Sequence, residues 1–187
     1  MQTIYLVRHG EYDNPRNILA GRLPVELSQK GKEQAEKVKD FFKDKSINKI
    51  YSSEVFRCIQ TSEIISDSQI PIQYDVRLLE GLSAYQGYWT DHWENFYSHV
   101  LKLGGESHQD IHNRIVNFFE EIIEKERNDF IIVSHGDPIF ILVSYLLGKS
   151  LPPENQQESS YPDYPEVGSI TKITQENGTF QVDFLTI

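Results

Sequence analysis

Apolar residues along this chain follow two alternating regimes. Short segments at residues 3–8, 49–52, 70–74 (IPIQY) and 129–135 (DFIIVSH), built around apolar residues, predict strands. Between them, apolar positions recur every three or four residues. Residues 28–45 predict a helix with Ser28 as N-cap and Ala35, Val38, Phe41 and Phe42 on one face. A second helix is expected behind a Ser53 cap, with Val55, Phe56, Ile59, Ile64 and Ile65 turned inward. Residues 90–103 and 108–126 also read as helical, the latter with a stripe of Ile111, Ile115, Phe118, Phe119 and Ile122. In 138–148, Pro138 stands at the expected first helical position and Gly148 at the end. A long Pro-, Ser- and Gln-rich connection follows, and then SITKIT and TFQVDFLTI flank ENG as a closing hairpin. Strand–helix alternation up to residue 149 predicts an α/β fold with a mostly parallel sheet and a C-terminal antiparallel hairpin.

Composition narrows the function classes. The chain has 187 residues, the size of one domain, 1–187. Its net charge of −10 argues against nucleic-acid partners, which require a basic footprint. A few arginines can still hold an anion locally, because salt screens the distant negative surface beyond about 10 Å. The lone cysteine, Cys58, offers neither an internal disulfide nor a zinc cluster, and no base adjoins it in sequence. No apolar run reaches the ~20 residues of a membrane span. Met1 and Gln2 lead directly into the first strand, so a cytoplasmic protein without membrane association is expected.

Two strand ends carry the same polar signature. IYLVRHGE at 4–11 and IIVSHGDP at 131–138 each run from apolar residues into a histidine and a glycine. Both histidines, His9 and His135, are thereby expected at the carboxyl edge of the sheet, where open α/β sheets bind ligands. Gly136 allows close backbone approach to a ligand. In YSSEVFRCIQT, 51–61, Arg57 falls in the first turn of a helix, where charge and dipole both favour an anion.

Six blocks in order carry a family resemblance: RHGE at 8–11, LSQKGKEQA at 27–35, SSEVFRCIQT at 52–61, RLLE at 77–80, GGES at 104–107 and VSHG at 133–136. Together they resemble the histidine phosphatase superfamily, the phosphoglycerate-mutase-like branch 1. The resemblance implies a three-layer α/β/α sandwich and phosphoryl transfer through a phosphohistidine without metal or other cofactor. It implies His9 as nucleophile, Glu80 as general acid and base, and Arg8, Arg57 and His135 as the groups that bind the phosphate and stabilise the transition state. Glu80 in that role needs a carboxyl pKa raised toward neutrality. The chain departs from the pattern where Tyr12 replaces the usual threonine or serine. Asn14 stands one place from the usual asparagine, and GLSAYQGYW blurs a segment containing glycine and tryptophan.

Around this set, Asn14, Arg16, Arg22 and Gly136 are expected to contact substrate, and residues 81–106 to form a lid. His108 and His112 have i, i+4 spacing but no third ligand in view, so no metal site is expected there. Arg114 is expected to brace a carboxylate, and Glu106 and Ser107 to start a helix. The expected activity is hydrolysis of a small-molecule phosphate monoester, with phosphoglycerate mutase as the alternative and a non-catalytic phospho-ligand-binding protein less favoured. Only 54 residues separate Glu80 from His135, short for the added segments that guard a mutase phosphoenzyme. Neither 78–101 nor 152–168 contains Lys or Arg, and the former is rich in aromatics. That pattern predicts a substrate with one phosphate and a neutral or ring-bearing body. Sequence leaves the oligomeric state open.

Overall fold

The computed structural model describes residues 2–89, 104–153, 161–176 and 178–185. A six-stranded sheet organises them: β1 (Gln2–Arg8), β2 (Lys49–Ser52), β3 (Ile72–Tyr74), β4 (Phe130–Ser134), β5 (Ile170–Glu176) and β6 (Thr179–Leu185). Their spatial order is β3-β2-β4-β1-β5-β6. The first four run parallel, and the closing hairpin β5–β6 joins antiparallel beside β1. The α/β fold with a mostly parallel sheet and a C-terminal antiparallel hairpin is therefore as expected.

Helices cover both faces. Alternating β1 residues divide between two cores, as strand geometry requires. Ile4 and Leu6 pack with α3 (His108–Lys125) and α4 (Gly136–Leu146); Tyr5 and Val7 pack with α1 (Gln29–Phe42) and α2 (Phe56–Ser66). The central strand β4 is buried on both faces and is accordingly apolar up to its last residue, Ser134, as parallel strands between helix layers are.

Local signals explain the helix starts. Ser28 caps α1 by accepting from the Gly31 N–H, and Ser107 with Asp110 forms a capping box on α3. Gly31 is required by close approach: a Cβ there would lie 1.8 Å from the Glu11 carbonyl oxygen. Helix α1 is thus pressed against the backbone that follows His9.

Three expectations about helices change. Ser53 does not cap α2; Val55 holds that position without a side-chain cap. The inward face of α2 is also different. Val55 and Ile65 are buried, but Phe56 is exposed, and Arg57, Cys58, Thr61 and Ser62 take the buried face. Those polar residues are buried because they hold the site. Helix α4 begins two residues before Pro138, at Gly136, with His135 as its N-cap. The helix expected at 90–103 lies outside the described residues. Among the described residues no helix is long and apolar enough to cross a membrane.

Candidate active site

Strand register brings the two HG sequences together. Arg8 pairs with Ser134 at the ends of β1 and β4, so His9 and His135 leave adjacent strands side by side. The His9 N–H donates to the Ser134 carbonyl at 3.1 Å, and the two imidazole centroids are 5.1 Å apart. On the other side of β4, β2 ends at Ser52, and the Ser53 N–H donates to the Val133 carbonyl. Helix α2 then starts beside the pocket and presents Arg57 as its second residue. Three parallel strands and the start of α2 thus deliver the chemistry to one sheet edge.

The hydrogen bonds fix the state of His9. Its Nδ1 lies 2.8 Å from the Gly10 carbonyl, which can only accept, so Nδ1 carries the proton and Nε2 the lone pair. Arg57 Nε donates to that lone pair at 3.0 Å. Burial, then the charges of Arg57 and Arg8, hold the His9 pKa well below the ordinary imidazole value. A neutral imidazole with its lone pair on Nε2 is the form that can act as a nucleophile once Arg57 Nε gives up that lone pair to phosphorus.

Arg57 joins the groups. Its Nη2 donates to the Gly21 carbonyl at 2.8 Å and to His135 Nδ1 at 2.9 Å. Its Nη1 is buried and has no hydrogen-bond partner. A buried guanidinium donor without an acceptor is costly, and an anionic oxygen would satisfy it. His135 is fully buried, and burial followed by Arg57, His9, Arg8 and Arg114 depresses its pKa well below the usual value.

Glu80 completes the cluster. Its Oε2 lies 3.6 Å from His135 Nδ1 and 3.8 Å from Arg57 Nη2, while Oε1 accepts from the Gly81 N–H at 2.9 Å. Ser134 Oγ donates to the Leu78 carbonyl and so ties the Glu80 turn to β4. Arg8 is held by the tail loop: its Nη1 donates to the Pro165 carbonyl at 2.7 Å, and its guanidinium sits 5.3 Å from the Tyr164 ring centroid. The five residues expected to do the chemistry therefore stand together.

The outer residues are placed differently. Asn14 holds the Ile18 backbone with its amide, closing the 14–18 loop. Arg22 donates to Glu106 Oε2 at 2.6 Å and to the Glu80 carbonyl at 2.8 Å, so it braces the Glu80 turn. Arg16 is exposed in the loop. Gly136 is needed for packing: a Cβ there would meet the Tyr164 hydroxyl at 2.1 Å. Arg114 does brace a carboxylate, donating to both oxygens of Glu106 and to the Arg77 carbonyl.

Sequence reasoning gave Glu106 no more than a helix start. It is the shared anion of Arg22 and Arg114, and its Oε2 also accepts from the Leu82 N–H. Tyr12, which departs from the family pattern, places its ring 5.2 Å from the Arg57 guanidinium and 5.8 Å from the His9 ring. The signal available was proximity in sequence to the nucleophile. Of the two spaced histidines, His108 Nδ1 donates to the Pro152 carbonyl and His112 faces the Tyr145 ring. Among the described residues, His9, Glu80 and His135 have ligand atoms within 4.8 Å of one another. Both imidazole lone pairs there already accept from Arg57, and a cation would have to displace that guanidinium.

The model of the histidine phosphatase superfamily (branch 1) matches residues 4–187. The chain belongs to this superfamily. It is 31% identical to the 2,3-bisphosphoglycerate-dependent phosphoglycerate mutase of Thermoplasma acidophilum, covering 95% of this chain and 90% of that protein. It is 30% identical to phosphoserine phosphatase 1 of Hydrogenobacter thermophilus, over 81% of this chain and 79% of the relative. The structure of YhfR from Bacillus stearothermophilus superposes with a TM-score of 0.86 at 26% identity, covering 98% and 96% of the two chains. Members of this superfamily carry phosphatase and mutase names, and this protein is an enzyme of that kind.

Proposed function

We propose that the protein is a metal-independent phosphatase of small phosphate monoesters. The observation that carries this reading is the placement of the His9 Nε2 lone pair against Arg57, with the unpartnered Arg57 Nη1 and the Glu80 carboxylate beside it. His9 Nε2 attacks phosphorus in line; the P–N bond forms as the P–O ester bond breaks. Arg8, Arg57 and His135 offset the charge on the equatorial oxygens. Glu80 gives its proton to the departing alkoxide, then takes one from the water that releases phosphate and restores His9.

The surroundings support a substrate with one phosphate and a neutral or ring-bearing body. Arg22 and Arg114 are already committed to Glu106. Between residues 78 and 101 there is no Lys or Arg, and Tyr85, Tyr88 and Trp89 begin an aromatic stretch. A second phosphate would enter a region short of cations. Residues 81–106 act as a lid in this reading. Its neck is drawn together where the Glu106 N–H donates to the Leu82 carbonyl at 2.8 Å. A free buried Cys58 suits a cytoplasmic setting.

Mutase activity is the second reading, favoured by the Thermoplasma relative. A panel of phosphorylated metabolites, assayed in excess EDTA, decides between them. The expected result is higher kcat/KM for neutral-bodied monophosphates than for fructose bisphosphates or phosphoglycerates. Efficient phosphoryl exchange on 3-phosphoglycerate would promote the mutase. Activity lost to EDTA and restored by Zn²⁺ or Mg²⁺ would remove the metal-independent mechanism.

A further inference from the structure

Ser53, the residue just past the end of β2, contacts the catalytic set without belonging to it. Ser53 is fully buried, and its Oγ lies 2.8 Å from Nε2 of His135, also fully buried. Which of the two carries the proton follows from the other side of the ring. Arg57 Nη2 can only donate, and it lies 2.9 Å from His135 Nδ1, so Nδ1 offers the lone pair. Nε2 then bears the hydrogen and donates it to Ser53 Oγ. The backbone keeps this oxygen in place: the Ser53 N–H is bound to the Val133 carbonyl at 3.0 Å, and the Val55 N–H donates to Oγ at 3.3 Å.

This arrangement gives His135 a defined proton problem. Nδ1 is its pocket-facing atom, as its distances to Arg57 and to Glu80 Oε2 show. A ring that presents a lone pair there repels a phosphoryl oxygen. To donate, Nδ1 needs a proton of its own. A phosphate monoester monoanion brings one. Transfer of that proton to Nδ1 leaves a dianionic ester and an imidazolium, with total charge unchanged; the Arg57 Nη2–H that sits at Nδ1 turns to a phosphoryl oxygen, and the dianion offsets the arginine charges that hold the imidazole pKa down. The imidazolium holds two N–H donors, and its buried Nε2–H needs an acceptor that stays in place throughout. The groups facing the ring are Arg57 and Cys58 from α2, Arg8 and His9 from the end of β1, Glu80, and Arg114 at longer range. None of these accepts from Nε2 as well as Ser53. Cys58 Sγ is 3.5 Å away, and burial pushes its thiol up to about 12, so it is no thiolate.

We propose that Ser53 is a positioning residue for phosphoryl transfer: it fixes the ring and the Nε2 proton of His135, so that Nδ1 can take up a proton and donate to the phosphoryl group. The proposal rests on the phosphatase reading for its purpose, but the proton placement can be read without turnover.

Two measurements test it. In the first, ¹⁵N spectra of histidine-labelled protein at neutral pH are expected to show His135 protonated at Nε2 and bare at Nδ1 in phosphate-free buffer. With saturating inorganic phosphate both nitrogens should be protonated. A bare Nε2 in phosphate-free buffer, or a ring unchanged by bound phosphate, overturns the proposal even if no substrate has been found. In the second, Ser53→Ala should lower kcat/KM by about 10- to 100-fold, the cost of orphaning a buried donor, while Ser53→Thr retains most activity. Placed in a His135→Ala background, Ser53→Ala should cost less than about twofold, because the residue it acts through is gone. An equal loss in both backgrounds assigns Ser53 to general packing and ends the proposal. If the ¹⁵N result holds while no phosphate ester is hydrolysed, the phosphatase reading fails and the Ser53–His135 pairing stands.

Discussion

Arg57 sets its Nε–H 3.0 Å from the Nε2 lone pair of His9, while its Nη2 reaches His135 at 2.9 Å. One planar fork thus bridges the two histidines, with the spacing fixed by the guanidinium itself. Lysine offers a single nitrogen and cannot span both. Arg57→Lys should therefore keep the positive charge and still lose about 10²–10³-fold in kcat, the scale of removing one oxyanion donor. Steady-state assay with a folded-state check by circular dichroism measures it. A variant within a few-fold of wild type would reduce Arg57 to a point charge.

His9→Ala should abolish turnover and labelling together. A phosphohistidine is acid-labile and base-stable, so a labelled phosphate donor quenched in alkali reports the P–N bond directly. Wild-type protein should incorporate label and the variant none. Label that persists in His9→Ala, or turnover without label, would move the nucleophile elsewhere.

Much of this is legible in the sequence, and the misses have two physical causes. Strands β1 and β4 are centred on apolar runs buried on both faces, and their ends point to the site through His9 and His135. Helix α2 was misread because its buried face is polar. Thr61 Oγ accepts from the Gly10 N–H, and Ser62 Oγ donates to Ser52 Oγ, so this face clamps strand ends rather than filling a core. Apolar periodicity cannot detect that. The partners of Asn14 and Arg22 are hidden from the sequence for a different reason. Their side chains are consumed by backbone carbonyls and by Glu106, which only the folded loop brings near. Arg114 was read correctly because arginine on a half-buried helix face needs an anion, whichever one the fold supplies.

Glu106 holds the turn that carries Glu80. Arg22 bridges its carboxylate to the Glu80 carbonyl, and Arg114 bridges it to the Arg77 carbonyl, so the anion grips the segment from both sides. Burial pushes its pKa up most strongly, but the hydrogen bonds and charge of Arg114, the Leu82 N–H and the charge of Arg22 together outweigh it, and the net shift is downward. Glu106→Gln should destabilise the fold by about 1–3 kcal/mol, since two arginines lose a half-buried counterion. Urea unfolding reads this. The turn should also loosen, so kcat should fall about tenfold on alkyl phosphates. Unchanged stability and rate would make the cluster ornamental.

Stability should depend on pH through the two buried histidines. Both have folded pKa values depressed by burial and by the arginines. Their unfolded counterparts titrate near about 6.5. Below that value the unfolded chain binds protons that the folded chain refuses, so stability rises with pH. The contribution is fully present above about 6.5 and is lost as pH falls through that value toward the folded ones. Each histidine adds a slope of up to about 1.4 kcal/mol per pH unit. Unfolding of wild type and of His9→Ala/His135→Ala, compared across about pH 5 to 7.5, isolates their share. Parallel pH curves for the two proteins would contradict the depressed values.

Glu80→Gln should separate substrates by leaving group. The carboxylate lies beside the pocket-facing atoms of Arg57 and His135, placed to meet an ester oxygen. Glutamine preserves the shape and can still accept from the Gly81 N–H, but it cannot deliver a proton as an acid. An alkyl or sugar alkoxide is strongly basic and needs that proton as it leaves. A nitrophenolate departs without it. Phosphorylation of His9 should therefore slow by about 10²–10⁴-fold with alkyl phosphates and far less with nitrophenyl phosphate. Steady-state rates alone can hide this, because the second step also uses Glu80, as the base for water. The variant should then accumulate phosphoenzyme and release nitrophenolate in a burst equal to the enzyme concentration. Single-turnover kinetics resolve the two steps. Equal losses on both substrates in the first step would take the acid role from Glu80, and a burst missing from otherwise active enzyme would take the base role as well.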